Sequence, residues 1–266
     1  MKKWHIIIYT PAYNVEKSIS ELVERLHQTI NEPSKSKLIL KSLIIVNDGS
    51  TDSTRAILSD LSAKFSYLRI VNKKSNEGPA KALFSGMQEV LSVLENSKQP
   101  LEKIIVVRMD SDLEHQPEDV PKLLAPIISG NAKISVGYDP FDVRMGLVSN
   151  WFNKIAGLNG SRKFLDMDIP QFCPGFNAIR ADVFKKIHSK LLEEAKKFYK
   201  ITGNDLLTID FVILVVAKQF GEKIFAVKNS FIGEKWIKKP PVRKILRYLD
   251  YHRKTMSFLE KETKSS

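Results

Sequence analysis

Apolar positions in the first half of the chain come in short blocks that alternate with longer amphipathic stretches. Ile6–Tyr9 is a brief apolar run of the kind that forms a buried strand. Between residues 15 and 31, Val15, Ile19, Leu22, Val23, Leu26 and Ile30 recur at threes and fours, which predicts a helix with one buried face. The alternation then repeats. Leu43–Val46, Leu68–Val71, Ile104–Arg108 and Ile134–Val136 read as strands, and Ser53–Phe65, Pro79–Leu94 and Pro117–Ile128 as helices. The last of these has proline near its start, where the missing N–H removes no helical bond. Strands separated by helices of this length require crossover connections, so an α/β fold with a mostly parallel sheet flanked by helices is expected. In such sheets ligands bind beyond the carboxyl ends of the strands.

The second half is less regular. Phe141–Phe164 is interrupted by Gly146, Gly157 and Asn159-Gly160, with helical character around Trp151–Ile155. Asp182–Tyr199 is a clear helix, with Phe184, Ile187, Leu191 and Ala195 on one face. Asp205–Phe220 is ambiguous: its Val and Ile content favours a strand, its length and the following Gly221 a helix. Lys223–Val227 reads as a strand, and Pro240-Pro241 as the opening of a helix with Val242, Ile245, Leu246 and Leu249 on one side.

Composition narrows the partners. The 266 residues are 43% hydrophobic and 27% charged, which is globular rather than disordered. Lys+Arg 42 against Asp+Glu 30 gives +12, a balance that suits anionic partners such as phosphorylated small molecules, nucleic acid or a membrane surface. Half of that excess lies in the tail: Glu234–Lys264 holds ten Lys/Arg and four Asp/Glu. No Arg/aromatic recognition motif accompanies the charge, so nucleic acid is not an expected partner. One cysteine, Cys173, excludes an internal disulfide and a Cys-based zinc cluster, and reads as a small buried hydrophobe in a reducing compartment. The longest apolar run, Ile209–Ala217, is far short of the roughly 20 residues that cross a bilayer, and no secretory leader follows Met1-Lys2-Lys3. A cytoplasmic protein is expected. The tail, with Trp236, Ile237, Tyr248 and Tyr251 among its cations, is a candidate for peripheral contact with an anionic membrane or for packing on the core.

The strand ends carry the candidate chemistry. They read Thr10-Pro11-Ala12-Tyr13-Asn14, Asn47-Asp48-Gly49-Ser50-Thr51-Asp52-Ser53, Asn76-Glu77-Gly78-Pro79-Ala80-Lys81-Ala82 and Met109-Asp110-Ser111-Asp112-Leu113-Glu114-His115. All four tips should gather on one edge of the sheet. Asp-Gly-Ser-Thr-Asp-Ser is by itself ordinary turn and helix-capping chemistry. The pair Asp110 and Asp112 is more pointed. Two carboxylates one residue apart at a strand end can converge on one hard cation, with Glu114 as a third ligand, and a solvated turn is the alternative. Oxygen ligands without a nearby Cys or paired His favour Mg²⁺ or Mn²⁺ over zinc. His115, beside this motif, is placed to touch a phosphate.

Taken in order, T-P-A-Y-N, V-N-D-G-S-T-D, N-x-G-x-x-x-A-x-x-x-G and M-D-S-D-L-E-H-Q-P-E resemble the large inverting glycosyltransferase family of the GT-A fold, family 2. The Asp-x-Asp-Leu-x-His-x-Pro-Glu frame is most similar to its dolichyl/polyprenyl-phosphate mannosyl- and glucosyltransferase branch. The match is dense over residues 6–124 and returns at Cys173–Arg180, which is similar to that branch's Gly-Phe-x-x-x-Arg segment. The resemblance implies a Rossmann-like nucleotide-binding half over 1–138, an acceptor half over 139–232, and a basic amphipathic tail over 233–266. It implies that Pro11, Ala12, Tyr13, Asn14 and Gly78 line a nucleotide-sugar pocket, that Asp48 binds the base, and that Lys81 lies near nucleotide or sugar. Asp110 would face ribose or sugar, and Asp112 would hold the metal with Glu114 beside it. The branch commonly has Gln where Glu114 stands, so the site carries an extra negative charge. Asp210 falls near the family's late acidic residue, in an apolar run where a carboxylate needs a reason.

The implied reaction is transfer of a hexose from a GDP- or UDP-type sugar to an acceptor, with inversion. Two acceptors are open. A sugar hydroxyl needs a general base, for which Asp168 and Asp210 are candidates, as in cell-surface polysaccharide assembly. A polyprenyl phosphate is already anionic and needs cations, for which Arg144, Arg162, Lys163, Arg180 and Lys235 are candidates; each is also what a solvated surface presents. Arg180 is favoured because it lies in a matching segment. Where the branch shows Gly-Ser-Arg after a strand, this chain has Gly137-Tyr138-Asp139, so Arg144 would have to substitute. A non-catalytic scaffold is argued against by the intact Asp48, Asp110 and Asp112. Nucleotidyl transfer is argued against by the absence of Gly from residues 1–30.

Overall fold

The structure is a computed structural model that describes residues 3–31, 37–138, 158–169, 175–202, 209–229, 250 and 253–261. The first part is strictly alternating: β1 (Trp4–Ala12), α1 (Ile19–Asn31), β2 (Leu38–Asn47), α2 (Thr54–Lys64), β3 (Leu68–Asn72), α3 (Pro79–Glu95), β4 (Ile104–Arg108), α4 (Val120–Ile128) and β5 (Ile134–Tyr138). Then come α5 (158–165), β6 (Asn177–Arg180), α6 (Ala181–Thr202), α7 (Ile209–Gln219), β7 (Ile224–Lys228) and α8 (253–261).

Seven strands form one sheet in the order β3-β2-β1-β4-β6-β5-β7. β1 pairs parallel with β2 and β4, and β2 parallel with β3. β6 is antiparallel to both β4 and β5. The α/β fold with a mixed, mostly parallel sheet is therefore as expected. Burial explains why the strands were legible: Ile6, Ile7, Ile8, Leu43, Ile44, Ile45, Ile104, Ile105 and Val107 are wholly inaccessible, covered on both faces. On α1, Ile19, Leu22, Val23, Leu26 and Ile30 are all fully buried, each contributing about 1.5–3 kcal/mol by leaving water.

Three elements differ from the sequence reading. β2 begins at Leu38, five residues earlier than its apolar run. Its pairing with β1 shifts between Ile6 and Ile7, from Ile6–Leu40 to Ile7–Ser42, so Lys41 is a bulge that breaks the pattern. β6 is four residues long, too short for a period of two to show. The ambiguous 205–220 stretch contains a helix, α7, in which every residue from Asp210 to Ala217 is buried; a helix covered all round has no apolar stripe to read. The expected helical segments at Trp151–Ile155 and Val242–Leu249 lie outside the described residues.

The chain divides into two compact units, Met1–Gly137 with Gly175–Lys186 and Lys223–Ile232, and Tyr138–Pro174 with Ile187–Glu222 and Gly233–Ser266. The second unit is not contiguous in sequence, because the chain returns to the first unit at Gly175–Lys186 and Lys223–Ile232, where β6 and β7 join the sheet. Of the stretch 233–266, the described residues 250 and 253–261 fall in the second unit. There Phe258 and Leu259 are buried and Lys163 Nζ is 2.5 Å from Glu260 Oε1.

Gly49 is where the fold cannot accept a side chain. Its φ is +69°, and a Cβ there would sit 2.6 Å from the backbone nitrogen of Asn76. Gly49→Ala should cost about 3 kcal/mol from backbone strain and clash together, read as a lower urea midpoint at unchanged slope.

Candidate functional site

Parallel pairing of β1, β2, β3 and β4 brings their carboxyl ends to one edge, and side-chain hydrogen bonds knit the loops that leave it. The amide of Asp48 donates to the Ala12 carbonyl (2.9 Å), and the Asn47 side chain donates to Asn72 Oδ1 (2.8 Å). Ser111 Oγ donates to the Pro11 carbonyl (2.7 Å), and Ser18 Oγ to the Ser111 carbonyl (3.0 Å). Pro11 is tolerated in the central strand because β1–β4 pairing has already ended at Tyr9 and Arg108.

These loops enclose a cleft of about 240 Å³ lined by Pro11, Ala12, Tyr13, Val15, Asp48, Asn76, Pro79, Ala82, Asp110, Ser111 and Asp112. Six of the expected pocket and metal residues are thus brought together: Pro11, Ala12, Tyr13, Asp48, Asp110 and Asp112. Tyr13 is 45% exposed, an aromatic face left open at the cleft. Asp48 is buried. Its Oδ2 accepts the Gly78 amide (2.8 Å), its Oδ1 accepts the Glu77 amide (3.2 Å), and Lys73 Nζ stands 3.7 Å from Oδ1. A carboxylate has about four acceptor positions, so Asp48 anchors the β3–α3 loop and retains capacity for a ligand N–H.

Other expected pocket residues take supporting places. Asn14, at φ +52°, is a clasp: its Oδ1 accepts the Thr51 amide (2.8 Å) and its own amide donates to Ser50 Oγ (3.0 Å), tying the β1 loop to the β2 loop. Gly78, at φ +94°, precedes Pro79 at the start of α3 and uses its amide on Asp48. Lys81 is half exposed, 3.7 Å from Glu77. None of the three is among the residues lining the cleft.

Arg180 requires a correction. It ends β6, and because β6 runs antiparallel to β4 it pairs with Ile105, at the amino end of β4. The acids leave from the carboxyl end. Arg180 instead forms a two-point ion pair with Asp182 at the start of α6, Nε–Oδ1 2.6 Å and Nη2–Oδ2 2.7 Å. It is not with the candidate catalytic acids. In the second unit, Arg162 pairs with Asp168 at 2.5 Å on the surface, and Asp210 is buried at the start of α7. Arg144 and Lys235 lie outside the described residues.

The sequence reading missed Arg108. It closes the apolar strand β4, is buried, and lies 2.7 Å from Asp110 Oδ1 through Nη1 while also donating to the Gly175 carbonyl. His115 is buried beside the same acid. Its Nδ1 accepts the Asp110 amide (3.0 Å), and its ring stacks on Phe176 at 5.1 Å, so the histidine closes the acidic turn. A charged residue ending an Ile-Ile-Val-Val run was the available signal for Arg108.

A model of glycosyl transferase family 2 matches residues 7–188. The chain belongs to this family. It is 29% identical over 245 residues to an uncharacterised protein of Methanocaldococcus jannaschii, covering 85% of this chain and 97% of that one. Among solved structures it resembles glucosyl-3-phosphoglycerate synthase from Mycobacterium tuberculosis in complex with Mn²⁺, UDP and phosphoglyceric acid (TM-score 0.57, 19% identity, 96% of this chain and 77% of that chain). It also resembles a mannosyltransferase from Pyrobaculum calidifontis in complex with GDP-Man and Mn²⁺ (0.54, 14%, 88% of this chain and 59% of that chain). A third is mannosyl-3-phosphoglycerate synthase from Rubrobacter xylanophilus (0.54, 12%, 98% and 75%). These are likenesses of fold, and the chain spans under two thirds of the Pyrobaculum enzyme.

The acids of this family 2 chain fit a cation that brings ligands of its own. Among the described residues no group of three His, Cys, Asp or Glu side chains is gathered to hold an ion, while the charge of Glu114 is near enough to act on Asp112. Asp110 and Asp112 remain, both on the cleft. Mg²⁺ and Mn²⁺ sites of one or two carboxylates are completed by water and substrate phosphate. Asp112 is pushed up to about 7, first by the protein crowded around it and then by the charges of Asp110 and Glu114. Solvent still reaches it from the cleft.

The sign for stability follows. A carboxyl whose folded value is raised holds its proton where the unfolded chain releases it, so stability falls as pH rises from about 4 to about 7. Asp112→Asn should therefore raise the metal-free denaturation midpoint at pH 8 and leave it unchanged at pH 4. Solvent screening keeps the gain below about 1 kcal/mol.

Proposed function

We propose that this chain transfers a hexose from a nucleoside diphosphate sugar to an acceptor, with inversion, and that a divalent cation at Asp112 takes part. The observation that supports this reading is the cleft, where the acids of the β4 loop share one space with buried Asp48 and the open ring of Tyr13.

Each residue then has a task. Tyr13 offers a flat face for a base. Asp48, acceptor-only and held rigid by two backbone amides, selects a base that presents an N–H to it. Asp110 accepts from a ribose or sugar hydroxyl. Asp112 is the metal-ligating acid. A divalent cation bound there supplies charge neutralisation to the diphosphate leaving group. Small Ala12 and Ala82 keep the floor of the cleft low enough for a planar group. The Mn²⁺ named with the Mycobacterium and Pyrobaculum structures makes manganese the cation to try first.

The acceptor was expected to be a polyprenyl phosphate, and Arg180 was its strongest support. The topology takes that residue to the other edge of the sheet. Lipid phosphate and sugar hydroxyl therefore become two arms of one acceptor assay, carried out once the donor is known. Among the described residues no helix is long and apolar enough to cross a membrane.

The test is calorimetric titration with GDP, UDP and their hexose conjugates, with and without Mn²⁺. One nucleotide should bind, and Mn²⁺ should tighten it. Asp112→Asn should abolish the metal effect and lower transfer at least about a hundredfold, with the circular dichroism spectrum unchanged. Folded protein that binds no nucleotide in either condition would remove the proposal.

A further inference from the structure

A guanidinium at the end of a buried strand is expensive unless its charge is answered, and an apolar residue would continue Ile104–Val107 more cheaply. Arg108 is 6% exposed and is answered by Asp110, at 2.7 Å, and by the carbonyl of Gly175. Gly175 has room for this only because it is glycine. A Cβ there would press on the guanidinium and would lie 3.1 Å from Asp110 Oδ2. The next residue, Phe176, carries the ring on which His115 stacks, and His115 in turn accepts the Asp110 amide. Asp110 is thus held by its side chain from Arg108 and by its backbone from His115.

We infer that Arg108 is a positioning residue that divides the labour of the two acids: it neutralises and fixes Asp110 as a hydroxyl acceptor, leaving Asp112 as the acid for the cation. This rests on the proposed function and goes beyond it. Without Arg108 the carboxylates of Asp110 and Asp112 would stand one residue apart with that guanidinium's positive charge gone. Such a pair attracts a divalent cation more strongly and repels a diphosphate more strongly. With Arg108 in place the pair presents one negative charge fewer, and Asp110 is the weaker of the two acids as a cation ligand.

The prediction is a pair of opposite effects. Arg108→Met should tighten Mn²⁺ alone, followed by the free-Mn²⁺ paramagnetic resonance signal, by about tenfold, the effect of one unit charge several ångströms away in a partly solvated site. It should weaken GDP or UDP, whichever the wild type binds at saturating Mn²⁺, by about tenfold or more. Arg108→Lys, which keeps the charge, should restore much of the Mn²⁺ value and less of the nucleotide value, because it loses the planar two-sided contact. In an Asp110→Asn background, Arg108→Met should tighten Mn²⁺ by clearly less than it does alone, because only the through-space charge effect remains and no freed carboxylate is left to bind the cation, and this double variant also serves if the single one is too unstable to titrate. A purely structural role for Arg108 would weaken both ligands together. Wild-type protein that binds Mn²⁺ and nucleotide, with Arg108→Met weakening both or changing neither, overturns this inference alone. Wild-type protein that binds neither overturns the proposed function and this inference with it.

Discussion

The parallel pairing of β1 with both β2 and β4 is the constraint on which the site depends. It is the reason that four separate loops start from one edge, and it goes with burial: strands joined by crossover helices run parallel and are covered on both faces, as the inaccessible Ile6, Ile7 and Ile8 are. The loops themselves cannot be buried without partners for their backbone groups. The side chains that satisfy them (Asn14, Asn47, Asp48, Ser111) are therefore the ones the strand ends carry. Polar residues at these positions serve architecture first, and the cleft is what their arrangement leaves open.

That double duty explains how much of the site was legible. The motif residues divided on inspection into those facing the cleft and those holding the loops, and sequence has no way to separate the two. Asp48 and Asn14 both follow a buried strand and both read as pocket residues. One lines the cleft and ties a loop, the other only ties loops. Glu114 reads as a ligand from its spacing to Asp112; in the turn between them, with Leu113 at φ +64°, the Glu114 amide donates to Asp112 Oδ1, and Glu114 is not among the residues lining the cleft. Spacing along the chain specifies convergence only when the backbone between the residues is regular, and here it is a turn.

The fold was legible where burial was one-sided or the strands were continuous, and obscure where neither held. α1 and α3 declare themselves through an apolar stripe. α7 does not, because it is covered all round, and β2 was shortened in the reading by a bulge at Lys41 that interrupts its pattern without ending its pairing. β6 was invisible as a strand and visible only as part of a motif. Its four residues carry no periodicity, and its antiparallel pairing with β4 and β5 has no local signal.

That direction has more effect on the chemistry than any other feature the sequence concealed. An antiparallel strand inserted beside β4 starts at the ligand edge and finishes at the opposite one. Its first residues, after Gly175 and Phe176, meet Arg108; its last, Arg180, meets Ile105. Gly175 and Phe176 thus reach the acidic turn, one by accepting from Arg108 and the other by stacking on His115. The arginine of the same motif is carried away and neutralised by Asp182. Had β6 been parallel, Arg180 would have stood beside the acids and Gly175 far from them. One reversal of strand direction exchanges which end of a single segment supports Asp110, and with it which arginine, 108 or 180, belongs to the site.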